Sequence, residues 1–229
     1  MSTIRTHIRL MPTTVPAAPM SQHDSMRITF LLPHAGLAGG VRVVAIYAQR
    51  LQDRGHKVVI LSTPYRLENL RDRLQNAWHR LGLWMRGEQE PSHLNGIKVE
   101  HRRLPSPDQV DPALVPEADV IIATWWETAE RIGGPALPAS KGVPAYFIQH
   151  YETHAGQPIE RVKATWRLPM QKVVVAQWLA DVARDEHGDG GAIVVPNAVD
   201  LQQFAMPPRS KQGRPNVGLL HSRHQEKGL

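Results

Sequence analysis

Seven apolar runs recur along this chain, and their lack of alternation restricts what it can fold into. They are "RITFLLP" (27–33), "KVVILS" (57–62), "IKVEHRRL" (97–104), "DVIIAT" (119–124), "VPAYFIQH" (143–150), "KVVVAQ" (172–177) and "AIVVPN" (192–197). Most are continuously apolar, whereas a strand with one wet face would alternate. Such runs belong to strands covered on both sides, as in a parallel sheet between two helical layers. Between the first two runs, Val44, Tyr47, Ala48 and Leu51 mark the buried face of a helix, and Gly55 in "DRGHKV" marks its stop. The expected architecture is α/β with a doubly wound, mostly parallel sheet.

Residues 1–25 differ in texture. They carry three prolines, many hydroxyl residues and one acid, without the apolar core of a secretory signal, and read as a disordered tail. Met26 directly precedes the first run and is an alternative start of translation. Residues 26–205 form the expected domain. Beyond Asp200 the composition turns to Pro, Gly and basic residues, a linker, before "VGLLHS" (217–222) opens another strand. Residues 206–229 are thus expected to be a linker and the first strand of a second, truncated domain, loosely docked or disordered.

The chain has no cysteine, which removes disulfides, thiol catalysis and thiolate-bound zinc and suits a cytoplasmic protein. Its net charge of +6 and pI of 9.9 favour an anionic partner. The segment 65–87 sets Leu67, Leu70, Leu74, Trp78 and Leu81 at helical spacing, with five Arg against two acids. It is either a helix covering the sheet with a solvated Arg face, the reading we favour, or a peripheral contact to anionic membrane. The Arg residues are otherwise dispersed and no nucleic-acid recognition motif is present, so nucleic acid is not an expected partner.

Three places could carry chemistry. Gly39 and Gly40 lie between a strand and a helix N-terminus, where backbone N–H groups are open to a phosphate or where the chain merely turns. His150, followed by Tyr151 and Glu152, closes the fifth run. In open parallel sheets this is the ligand-binding end, yet a surface histidine reads the same way. Asn197 and Asp200 in "PNAVDLQQF" are turn-formers after the last run.

Taken in order, these motifs resemble the retaining glycosyltransferases of the family-4 group, which have the two-domain GT-B fold. The carrying segments are "GGVRVVAIYAQRLQDRGHKVVILS", the strand from Pro144 to His150, "AQWLADVARDEHGDGGAIVVPNAVDLQQF" and "VGLLHSRHQEKGL". "AYFIQHYE" is also similar to rhamnosyltransferase-like members that build surface polysaccharides. Ala198 stands where the family usually has glycine. Arg223 lies four residues before Lys227, where the family has five or six.

The resemblance implies transfer of a sugar, with retention, from a nucleotide-diphosphate donor to a saccharide or lipid-linked acceptor. The expected location is the cytoplasm, with the inner membrane face as the alternative that residues 65–87 raise. It implies no metal and no other cofactor. Gly39, Gly40, Lys227 and Arg223 would bind the donor diphosphate and His150 would be the catalytic residue. Glu152, Asn197 and Asp200 would line the cleft or hinge. This chain, lacking most of the donor domain, is expected to be inactive alone. The alternatives are an epimerase or phosphorylase of the same fold, or a non-catalytic anion- or membrane-binding domain.

Overall fold

The structure, a computed structural model, describes residues 25–66, 70–87, 90–134, 137–199 and 204–205. Seven strands form one sheet: β1 (Arg27–Leu32), β2 (Lys57–Ser62), β3 (Glu100–Arg103), β4 (Val120–Ala123), β5 (Val143–Ile148), β6 (Gln171–Val174) and β7 (Ile193–Val194). Every pairing is parallel, in the order β3-β2-β1-β4-β5-β6-β7. Each apolar run supplied one strand. The helices are α1 (Gly39–Asp53), α2 (Leu70–Met85), α3 (Trp126–Gly133), α4 (Ile159–Thr165) and α5 (Gln177–His187). The chain order runs outward from β1 to β3, then returns to β4 and runs the other way. The switch point therefore lies between β1 and β4, and this is a doubly wound, Rossmann-like α/β domain.

The continuous apolar runs feed two cores, one on each face. Val41, Val44, Ala45 and Ala48 of α1 pack on Ile28, Phe30, Leu32, Val58, Ile60 and Phe147. On the other face Ala129 and Ile132 of α3, Trp166 and Leu179 and Ala183 of α5 pack on Leu31, Leu61, Ile121, Tyr146, Ile148 and Val174. Successive side chains of a strand point to opposite faces, so a strand serving both cores cannot alternate in polarity. The edge strand β3 is the exception, with the sequence EHRR and mostly exposed side chains. Its charges discourage edge-to-edge pairing. Helix α1 ends at Asp53, and Gly55 takes a φ of 94°, which suits glycine at the stop.

The favoured reading of residues 65–87 as a sheet-covering helix needs correction. Helix α2 forms, but Leu74, Trp78 and Leu81 are exposed, and among its described side chains Leu83 is the buried one. The loop that follows supplies the cover instead. Leu94 and Val99 are buried and Ile97 partly so, all in the core on the α1 face. The tail 1–24, Asp200 and the segment 206–229, with Arg223 and Lys227, lie outside the described residues.

Candidate functional site

The C-terminal edge of the sheet around the switch point gathers the loops after β1, β2, β4 and β5. Helix α1 begins there with Ala38 at its N-cap, and no side chain caps it. Its first turn holds no acidic residue. The first N–H groups of a helix have no partner within the helix, and Arg42 is the first here to close a backbone bond, to Ala38 at 3.2 Å. Gly39 has open space where a side chain would stand. The neighbouring helix α3 differs. Thr128 Oγ1 accepts from the Thr124 and Trp125 N–H groups, each at 3.0 Å, and the Trp126 backbone N–H faces the Glu152 carboxyl. The two helix N-termini flanking the switch point thus differ in their surroundings: a side chain takes the N–H groups just before α3, and none caps α1.

The loop from β1 into α1 is held from two sides. His93 donates its backbone N–H to Gly36 O at 3.1 Å, and its Nε2 lies 3.0 Å from Leu37 O. The Tyr65 hydroxyl sits where a Cβ on Gly36 would come within 2.9 Å, so any side chain there would displace the Tyr65 ring end. From β5, Gln149 Nε2 donates to Gly40 O at 3.3 Å. Gln149 thus pins the second residue of α1 to the end of the fifth strand.

His150 is exposed and stands one residue further, on the opposite face. Its ring lies 6.1 Å from that of His154 and 6.2 Å from that of Trp178, both edge-on. The pleat explains the separation. Phe147 faces α1 and Ile148 faces α3 and α5, so Gln149 continues on the first side and His150 on the second. The structure brings Gln149, rather than His150, against Gly40. The alternation in "VPAYFIQH" carried this signal once the face of any one residue was known.

Glu152 is buried, 6% exposed, and its Oε2 has no partner. Burial pushes its carboxyl up to about 8, against the smaller opposing effect of the Trp126 N–H. Asn197 is exposed beyond β7 and remote in sequence from the residues just described.

A cleft of about 220 Å³ opens beside the switch point, and the sequence reading missed it. Pro33, His34, Thr63, Pro64, Tyr65, Arg66, Pro107, Trp125 and Glu127 line it. His34 and Tyr65 stack at 4.4 Å. Burial holds the His34 imidazolium pKa below its ordinary value, so the ring is neutral at pH 7. The charges are matched: Arg66 pairs with Asp108 and reaches Glu127 at 4.0 Å, and Arg131 meets Glu127 at 3.7 Å. The lining comes from loops separated by up to about ninety residues, and no local pattern announces it.

Among the described residues no group of three or more His, Asp or Glu side chains is arranged to hold a metal ion. No helix among them is long and apolar enough to cross a membrane.

No family model and no curated protein sequence matches the chain. Among solved structures it is similar to an alpha-glucosyltransferase in complex with UDP and a 13-mer DNA, at 13% identity and a TM-score of 0.38. It is similar also to an alpha-glucosyltransferase in complex with UDP-glucose and DNA containing an abasic site, at 12% identity and a TM-score of 0.36. In both cases the match covers 74% of this chain and 42% of the other, so the chain spans about two fifths of the structures it matches. Likeness at this level leaves the chemistry to be argued from the site itself.

Proposed function

We propose that this chain is the acceptor-side domain of a glycosyltransferase that uses a nucleotide-diphosphate sugar. The observation that carries the reading is the uncapped N-terminus of α1 at the switch point, with bare Gly39 over it and Gly40 anchored by Gln149. When a sugar leaves a nucleotide diphosphate, negative charge grows on the phosphate oxygens. Backbone N–H groups held in place before the reaction stabilise that charge without reorganising. The motif order in the sequence supports the same reading.

In this reading the donor lies across the C-terminal edge, its diphosphate at α1 and its sugar over the end of β5, where Gln149 and His150 offer polar atoms. A second domain, to whose opening segment Arg223 and Lys227 belong, supplies the remaining donor contacts, and Asn197 and Asp200 lie at the hinge that precedes it. The cleft by His34, Tyr65 and Trp125 takes the acceptor. Aromatic and proline faces suit the C–H face of a sugar ring, and the matched charges suit an uncharged ring better than a phosphorylated one.

The test is titration of this chain with UDP, GDP or dTDP, followed by backbone amide chemical shifts. The amides of residues 39–41 should move. Affinity should be millimolar or weaker, because a few exposed hydrogen bonds contribute about 1 kcal/mol each. The parent nucleosides should leave those amides unmoved. Shifts confined to other parts of the chain, or equal shifts with nucleoside alone, refute the assignment. Micromolar affinity, or turnover by this chain, refutes the division into an acceptor domain and a missing donor domain.

A further inference from the structure

We infer that the outer face of α2 is a docking surface for an anionic lipid bilayer. Leu74, Trp78, Leu81, Trp84 and Met85 are all exposed, Trp78 at 71%, Trp84 at 76% and Met85 at 74%. At about 100° per residue these five side chains occupy an arc of about 120° on one side of the helix. Leu83, the buried residue, lies about 180° from Leu74. The helix therefore rests on the protein by the face opposite its apolar stripe, and the stripe points outward. No described element covers it. Soluble surfaces rarely leave so many large apolar side chains together without a partner.

Charge selects the partner. Arg71 flanks the stripe on one side, and Arg80 and Arg86 lie further round on either side. Residues 70–87 carry four Arg and one Asp, a net +3. An apolar arc with Trp, bordered by Arg, matches the boundary between acyl chains and anionic headgroups. The rings and aliphatic groups sink to the level of the ester groups while the guanidinium groups stay among the phosphates. A second copy of this face would set Arg against Arg. Duplex nucleic acid would satisfy the Arg residues and leave the apolar centre without a matching surface.

The experiment is co-sedimentation of the 229-residue chain with vesicles of phosphatidylglycerol in phosphatidylcholine, against phosphatidylcholine alone. It needs neither donor nor transfer, so its outcome is independent of the glycosyltransferase reading. Binding should require the anionic lipid and weaken as sodium chloride rises. Arg71→Gln with Arg80→Gln should weaken it about thirtyfold, at about fivefold per arginine. Trp78→Ser with Trp84→Ser should weaken it about tenfold or more. Circular dichroism should show both variants folded, since all four side chains are exposed. Failure to bind anionic vesicles, equal binding to neutral ones, or indifference to the tryptophan pair overturns the proposal. So does a self-association, or a retention on duplex DNA, that the tryptophan pair abolishes while vesicle binding is absent.

Discussion

Gly39→Asp separates two properties of the α1 N-terminus that anion binding would otherwise confound. Gly39 is the first residue of the helix, and no atom outside its chain neighbours lies within 4 Å of the Cβ it would gain. An aspartate there is sterically free and sits at the positive end of the helix dipole, worth about 0.3–1 kcal/mol, with a few tenths more from replacing glycine. The variant should therefore be about 1 kcal/mol more stable, a rise of about 2–4 °C in Tm for a chain of this size. The same carboxylate repels a diphosphate. At about 5 Å in a water-like dielectric each pair of unit charges costs about 0.8 kcal/mol, so two phosphate charges weaken binding about tenfold to thirtyfold. Gly39→Ala adds a side chain without charge and should weaken diphosphate binding less than Gly39→Asp does, which separates bulk from charge. Calorimetric unfolding and amide-shift titration read the two effects separately. A stabilised Gly39→Asp protein that binds the diphosphate undiminished would show that the anion is not held at this helix end.

Three further outcomes follow from the packing. Gly142→Ala should cost about 3 kcal/mol in chemical denaturation, because φ is 103° and the new Cβ would lie 2.9 Å from the Val120 backbone; a loss below about 1 kcal/mol would mean the β4–β5 approach is soft. Lys172, 3% exposed, pairs with Asp189 at 2.6 Å and also donates to Leu168 O and Met170 O. The Lys172 bond holds Asp189 below its ordinary pKa, so this stabilisation is complete above about pH 4 and is lost as pH falls through the depressed value. Asp189→Ala should cost about 2 kcal/mol at pH 7 and show a shallower acid loss; an unchanged acid limb would refute the coupling. Glu152, raised to about 8, binds its proton more tightly folded than unfolded, so stability should fall between about pH 4.5 and 8 by on the order of 4 kcal/mol. Glu152→Gln should flatten that interval in a series of denaturation curves, and a slope equal to that of the wild type would mean the carboxyl is solvated.

The candidate site was less legible than the fold. Gly39 and Gly40 are visible as a glycine pair between an apolar run and a helical period, a pattern that a phosphate loop and a plain turn share. Gln149 does not stand out, since a glutamine next to a histidine at a strand end offers no reason to choose it. The choice follows from which face Phe147 takes, and that is set by contact with Tyr47 of α1, a hundred residues earlier at a ring distance of 5.4 Å. The cleft of His34, Tyr65 and Trp125 is likewise assembled from separate loops. Glu152 reads as an ordinary acid until the closed fold buries it.

What the sequence determined by itself is the sheet and its layering. An unbroken apolar run must be covered on both faces wherever it lies, and seven of them separated by helical or loop spacing leave a two-sided parallel sheet as the economical arrangement. Only the tertiary structure decided the cover over α2 and the faces at the edge. The stripe Leu74–Trp78–Leu81 states that a helix has an apolar side and is silent on what meets it. Leu94 and Val99 already occupy part of the core on the α1 face, and the stripe is left facing outward. A periodic pattern records the needs of one element. Which surface meets them depends on contacts distant in sequence, which exist only once the chain has closed on itself.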